Sequence, residues 1–236
     1  MFELTPFETE AILLSIRIAA VSMLFSLPVG IAVAWVLART QFPGKSLVDA
    51  IVYLPMVVPP VVVGYLLLIA FGRRGVLGAW MHDSLGITFA FNWKGAALAA
   101  AVMAFPLMVR AMRLSLEAVD RGLEAAARTL GAGRVRVFLT ITLPLMMPGI
   151  LAGAVLCFAR AFGEFGATIT FVSNIPGETR TLPLALYTMT QTPDGEGAAT
   201  RLAVLAAATA ILALVASEWL ARSVRRRLGE DAGAVT

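Results

Sequence analysis

Arg160 and Glu164 are the two charged residues of the apolar stretch from about 145 to 171. Four positions apart, they share one face of a helix, inside a run that is otherwise apolar. A buried ion costs free energy unless it is paired. Two arrangements follow: the two side chains pair with each other or across a subunit interface, or Arg160 offers its charge to an anion. In the second case the hydroxyls of Thr168, Thr170 and Ser173 are hydrogen-bond donors close by in sequence. Gly163 and Gly166 flank Glu164 and let the chain bend or pack closely. Glu218 and Arg222 form a similar spaced pair, read as an interfacial anchor. Nothing in the chain suggests bond-making chemistry. It has no G-x-x-x-x-G-K-[ST] phosphate loop. Cys157 and His82 are each the single residue of their type, which provides neither a disulfide nor a metal cluster, and His82 reads as a surface residue. The expectation is therefore no catalytic residue, no metal site and no cofactor in this chain. No basic run is interleaved with aromatics as a nucleic-acid groove requires.

Composition decides what kind of helices carry these side chains. Of 236 residues, 59% are hydrophobic and 14% charged, with a mean hydropathy of +0.84. A soluble domain carries about 25% charged residues, so this chain reads as lipid-embedded. A bilayer core takes about 20 apolar residues as helix, and five stretches meet that length: about 11–38, 48–71, 95–112, 145–171 and 202–220. The acidic opening MFELTPFETE is not the basic start of a signal peptide. Residues 181–190 (TLPLALYTMT) are too short to span and read as a short or re-entrant helix at the outer face. With the N-terminus outside, twelve of the nineteen Lys and Arg residues fall in cytoplasmic segments, five in outer ones and two within spans. The positive-inside rule then favours a periplasmic N-terminus and a cytoplasmic C-terminus. The expected layout is one transmembrane domain over 1–236: a membrane core of about 11–221, a cytoplasmic loop at 113–142 and a tail at 222–236.

Within that layout, Gly95, Ala96, Ala100 and Ala104 put small residues on one face of the third span, as closely packed membrane helices require. The last span (LAVLAAATAILALVA) has a similar texture. Lipid-facing alanine-rich helix is the other reading of both. In LPMVVPPVVVGY, Pro55, Pro59 and Pro60 lack backbone N–H groups. The second span must kink or begin late, either as a plain bend or because it lines the translocation path, where freed carbonyls meet a watery cavity.

Between spans three and four, Leu116, Val119, Leu123, Ala126 and Leu130 recur at steps of three and four with charges between them, which predicts one amphipathic helix. Gly131 and Gly133 end it, and a short basic segment with Arg134 and Arg136 leads to Pro144. About 30 residues of patterned loop exceed the usual 2–8 of a helix–helix link. The surplus suits a docking surface for a partner; an amphipathic helix lying on lipid is the alternative.

Glu124-Ala125-Ala126, then Gly131, then nine residues, then Ile141-Thr142-Leu143-Pro144 resembles the EAA signature of permease subunits in bacterial ABC importers. Four residues rather than three separate Ala126 from Gly131, a small departure. The resemblance extends along nearly the whole chain: ARTQFPGKS, LPMVVPPVVVGY, AARTLGAGRVRVF and FARAFGEFGATITFVSNIPGETRTLPLALYT look like the molybdate-importer permeases. FARAFGEFGA is shared with sulfate and thiosulfate permeases, and SNIPGETRTLP tilts the likeness to molybdate. Some relatives have an additional N-terminal span, which this chain is not expected to have. The resemblance implies an all-α, five-span bundle of the type I importer class. It also implies coupling helices built from Glu124, Ala125, Ala126, Gly131, Ile141, Leu143 and Pro144 that seat on a cytoplasmic ABC ATPase dimer, where ATP and Mg bind. A homodimer in the inner membrane and a periplasmic molybdate-binding protein complete the implied assembly. Pro59, Pro60, Arg160, Glu164, Thr168, Thr170 and Ser173 are the candidates for the path or gate. The competing readings are a sulfate or thiosulfate permease, a secondary transporter driven by an ion gradient, whose inverted repeats are not evident here, and a non-transporting membrane scaffold.

Overall fold

The structure is a computed structural model that describes residues 5–227, so the last nine residues of the expected tail lie outside it. Those residues form twelve α-helices and one π turn, with no strand among them. α1 (Pro6–Arg39) is 34 residues long, about 50 Å at 1.5 Å per residue. It starts at a capping box: the Glu8 N–H donates to the Thr5 hydroxyl at 3.3 Å and the Thr5 N–H donates to the Glu8 carboxylate at 2.8 Å. α2 (Lys45–Val57) and α3 (Pro60–Phe71) follow, then α4 (Val76–Leu85) and α5 (Trp93–Glu117). The loop between α5 and the next long helix holds α6 (Arg121–Thr129), α7 (Arg134–Val137), the π turn Phe138–Thr142 and α8 (Leu143–Leu145). α9 (Met147–Phe162), α10 (Gly166–Val172), α11 (Leu182–Thr190) and α12 (Glu196–Arg227) complete the chain.

The core is the packing of α1, α5 and α9. Ala96, Ala100 and Ala104 are buried, as the spacing of small residues required. With no hydrophobic effect between helices in lipid, close backbone approach is what associates them. The Ser22 hydroxyl of α1 donates to the Ala97 carbonyl of α5 at 2.7 Å, one polar bond across that seam. On the other side of α5, a Cβ added at Gly149 of α9 would overlap the side chain of Ser115. α12 does not share this texture. Ala199 and Leu202 in its first turns are buried, but Ile211, Leu212, Leu214 and Val215 are exposed. Its apolar surface within the chain therefore faces outward, contrary to the expectation that the last span packs like the third.

The spans also differ from five uninterrupted helices. α1, α5 and α12 are each long and apolar enough to cross a membrane, and the number rises to five only if each of two bent pairs is one span. The second span is a reversal rather than a kink: α2 and α3 meet at 115°. Pro59 and Pro60 have no N–H for the carbonyls of Pro55 and Met56. The residues before each proline are pushed to extended backbone, and Val58 and Pro59 both adopt it, with ψ of 138° and 135°. In the fourth span, the segment Arg134–Leu145 bends by 65° into α9. The span expected to run on to Phe171 breaks at Gly163, and α10 is a separate helix. α11 is the short helix foreseen at 181–190. α4 had no counterpart in the sequence reading.

Candidate coupling loop and translocation path

The loop after α5 is two rigid pieces rather than the single amphipathic helix expected over 116–130. α5 carries Leu116 to its end at Glu117, and the chain turns at Ala118–Asp120. The Asp120 side chain then accepts the Gly122 N–H at 2.8 Å and caps α6. The apolar stripe divides accordingly: Leu116 and Val119 are buried against the bundle, while Leu123 and Leu130 are 49% and 87% exposed. α6 ends in a Schellman motif, with the Gly131 N–H on the Arg128 carbonyl at 3.0 Å and the Ala132 N–H on the Ala127 carbonyl at 3.1 Å. Gly131 takes φ +84°, the left-handed conformation that favours glycine. The predicted bend is therefore real, and it aims α7 and the π turn back toward the bundle. Pro144 cannot donate to the Thr140 carbonyl, and the π turn sits immediately before it.

Glu124 is turned inward. Its Oε1 accepts from Arg39 Nη2 at 3.1 Å and from the Thr142 hydroxyl at 2.7 Å. Arg39 also reaches the Val119 carbonyl at 3.4 Å. One carboxylate thus ties the C-terminal end of α1 to α6 and to the π turn. Ala125 and Ala126 are exposed, and Ile141, Leu143 and Pro144 are half-buried. The partners Arg39 and Thr142 were missed by sequence reasoning. The available signal was a lone arginine closing an apolar span, and a threonine inside the Ile141–Pro144 motif. A second tie joins α2 to α5, where Arg113 pairs with Asp49 at 2.6 Å and with Glu117 at 2.8 Å.

In the fourth span, Arg160 Nη1 lies 2.7 Å from Glu164 Oε2. Glu164 is buried at 2% exposure, and the Arg160 side chain is one-third exposed. Glu164 stands beyond the end of α9, not on its face, because its other oxygen accepts the Ala167 N–H at 2.9 Å and anchors α10. Helix and break are thus joined by one side chain. α10 packs on α3: a Cβ at Gly166 would meet the Pro60 Cβ at 2.8 Å, and one at Gly64 would meet the Thr170 Cβ at 2.9 Å. The structure therefore brings Pro60, Glu164 and Thr170 into one region. Pro59 is exposed beside them. Thr168 is buried, and the Thr170 hydroxyl donates to the Gly166 carbonyl at 2.9 Å. Ser173, at φ +66°, is exposed at the end of α10, and its carbonyl accepts from the Thr179 hydroxyl at 3.0 Å. Of the three hydroxyl residues named from sequence, Thr170 already spends its proton on its own helix.

The opposite end of α1 is also clasped. Glu8 Oε1 pairs with Arg201 of α12 at 2.9 Å, and the Arg180 guanidinium lies over the Phe7 ring at 5.4 Å. Asn174 accepts from Arg180 at 2.9 Å and donates to Thr188 at 2.9 Å. The segment SNIPGETRTLP is thereby folded into a fixed shape between α10 and α11. His82 is exposed, as read from sequence, with a ring nitrogen 3.2 Å from the Thr88 hydroxyl. Glu218 and Arg222 pair at 2.8 Å on an exposed face of α12.

Comparison with known proteins follows this geometry. Residues 26–229 match the family described as "Binding-protein-dependent transport system inner membrane component". The chain is 63% identical to the "Molybdenum transport system permease protein ModB" of Escherichia coli K12, over 96% of this chain and 99% of that protein. It is 56% identical to the protein of the same description from Haemophilus influenzae, over 94% and 97%. A sulfate transport system permease protein of Synechocystis is 38% identical over 86% of this chain and 74% of its own length. Among solved structures, the inward-facing MetNI methionine ABC transporter matches with a TM-score of 0.71 at 18% identity, over 92% of this chain and 96% of that one. A bacterial ABC transporter involved in alginate import matches at 0.68 and 19%, over 94% and 80%.

Proposed function

Since the chain belongs to the family of inner-membrane components of binding-protein-dependent transport systems, we propose that it is the permease subunit of an ATP-driven importer that carries molybdate across the inner membrane. The observation that carries the choice of substrate is the strong likeness to molybdenum transport permeases through almost the full length of both chains. The weaker likeness to sulfate permeases makes sulfate the alternative cargo.

In this reading the chain works as a homodimer, with the path on the two-fold axis. A separate ABC ATPase dimer binds ATP and Mg, and a periplasmic molybdate-binding protein delivers the anion. The N-terminus lies in the periplasm, and α6 and α7 lie in the cytoplasm. The exposed edge of the bent loop, with Leu123, Ala126 and Leu130, offers itself to the ATPase. The Glu124 tie to Arg39 and Thr142 makes that loop a lever: displacement of α6 is passed to α1 and to the start of the fourth span rather than absorbed in the loop. At the far end of that span, Arg160–Glu164 and the contact of α3 with α10 form the element that the lever moves. Arg160, one-third exposed, is positioned to meet an anion while Glu164 keeps its charge compensated. A site that binds only through such a compensated charge releases its cargo, as transport requires.

The test is uptake of radiolabelled molybdate by vesicles containing the permease, its ATPase and its binding protein. ATP-dependent molybdate uptake that excess sulfate does not suppress is expected. Uptake without ATP would return the secondary transporter, and equal competition by sulfate would return the sulfate permease.

A further inference from the structure

A cleft of about 720 Å³ opens between the inner third of α1 and the coupling loop. One wall is apolar, formed by Ile31, Trp35 and Val36 of α1, with Trp35 40% exposed. The other carries Arg121 and Arg128 on α6 and Arg134 on α7, all three exposed. None of the three is in an ion pair among the described residues. Glu124 lines the cleft as well, but its charge is met by Arg39. Arg39 lines the same cleft and is held there by Glu124 and the Val119 carbonyl. The Arg39 side chain is 9% exposed, and its Nε–H is buried with no hydrogen-bond partner.

This combination selects its occupant. A small soluble oxyanion would satisfy the arginines but has no use for the apolar wall. From Ile31 to Arg39 that wall climbs about 12 Å along the helix, most of one leaflet of a hydrocarbon core about 30 Å thick. Basic pockets between membrane helices on the cytoplasmic side take phospholipid headgroups, and tryptophan sits at headgroup depth. We infer that the cleft holds an anionic phospholipid of the cytoplasmic leaflet, its phosphate on Arg121, Arg128 and Arg134 and an acyl chain along Ile31 and Trp35. The inference rests on the orientation given under the proposed function. Its consequence is a lipid wedged between the first span and the lever, so that transport depends on the anionic lipid content of the membrane.

The full chain is reconstituted into vesicles of phosphatidylcholine containing a minor fraction of brominated phosphatidylglycerol or, separately, brominated phosphatidylcholine. Both leaflets are alike, so the readout does not depend on orientation. Quenching assigned to Trp35, by difference from Trp35→Phe, is expected to favour the phosphatidylglycerol label. Replacing arginines by glutamine should weaken that preference about fivefold for each charge removed. Equal quenching by the two labels, or an undiminished preference in the triple variant Arg121→Gln/Arg128→Gln/Arg134→Gln, overturns the inference. Loss of the preference when the ATPase is added gives the cleft to the ATPase and overturns it too. Thermal unfolding of the triple variant close to that of the unsubstituted chain keeps a lost preference from being mistaken for a lost fold. Failure of the orientation is seen separately, by thiol labelling of Leu130→Cys from outside intact cells.

Discussion

Removing the Glu124 carboxylate tests the lever. In Glu124→Ala, Arg39 keeps its charge in a site where its side chain is 9% exposed, and the Thr142 hydroxyl loses its acceptor. Breaking a buried pair by deleting one partner costs about 3–5 kcal/mol. Glu124 is itself 13% exposed, which admits some water and lowers the figure to about 2–4 kcal/mol. Glu124→Gln keeps an oxygen for Thr142 and loses only the charge, for about 1–2 kcal/mol. Arg39→Leu combined with Glu124→Leu removes both charges together and should cost less than the sum of the two single changes, with a coupling energy of about 1–3 kcal/mol. The measurement is reversible unfolding of the reconstituted chain in mixed lipid–detergent micelles over the four corners of the cycle, paired with uptake by the assembled transporter. Uptake should fall in the order wild type, Gln, Ala, while ATP hydrolysis persists, because the loop still docks but no longer drags α1. Additive single effects, or an Ala variant with wild-type uptake, would refute the claim that this carboxylate transmits force.

Three further outcomes follow from the same geometry. Gly131→Ala meets no steric obstacle, since nothing lies within 4 Å of the added Cβ, but it must hold φ +84° at about 1–2 kcal/mol. The thermal midpoint should fall by no more than that cost implies, while uptake drops sharply, both measured on one preparation. Gly149→Ala drives a Cβ into Ser115 and the Ala111 carbonyl, an overpacking worth about 1–3 kcal/mol. Its thermal midpoint should fall, whereas Gly163→Ala, whose nearest contact is 3.8 Å away, should be close to neutral. Glu164→Gln keeps an acceptor for the Ala167 N–H and should retain more stability and uptake than Glu164→Ala, which leaves both α10 and Arg160 without their partner; equal loss in the two would show that the charge alone matters.

How much of this was visible in the chain depended on whether a feature is local. The small-residue face of α5, the stop at Gly131 and the break at Pro59–Pro60 are each properties of a few consecutive residues, and each was readable. The division of residues 116–130 into two elements was not. Periodicity continued through the turn because Leu116 and Val119 face the bundle while Leu123 and Leu130 face outward, and a stripe on a helical wheel does not say which surface covers it. Only the Asp120 cap marked the restart, and aspartate is common in the first turns of helices anyway. The spacing of Arg160 and Glu164 left open a mutual pair, a pair across an interface or an anion contact; the mutual pair forms, with Glu164 beyond the end of α9 rather than on its face. An i,i+4 pair survives a helix end when the second side chain folds back, and Gly163 was the single local clue. The Arg39–Glu124 pair joins residues 85 positions apart, and no pattern along one sequence encodes such a partner.

The break of the second span at Val58–Pro59 and the break between α9 and α10 at Gly163–Glu164 lie close together in space, and this is what makes them a candidate gate rather than two defects. Each break alone is costly, since it strands carbonyls that a membrane cannot hydrate. Pro59 and Pro60 end one helix, Gly163 and Glu164 end the other, and the half-helices beyond, α3 and α10, pack on each other through Gly64 and Gly166 at distances that admit no added Cβ. Along the chain, α3 joins α2 through the turn at Val58–Pro59, and α10 joins α9 through the Glu164 carboxylate. The α3–α10 pair is also seated on the bundle: a Cβ added at Gly95 of α5 would meet Val172 of α10 at 2.7 Å, and Val63, Leu67, Phe171 and Val172 are buried. The lever reaches the start of the fourth span through Thr142, and the fourth span reaches α10 through Glu164. In the proposed importer the loop, the fourth span and the α3–α10 unit would be joined through Glu124, which is partly buried, and Glu164, which is buried.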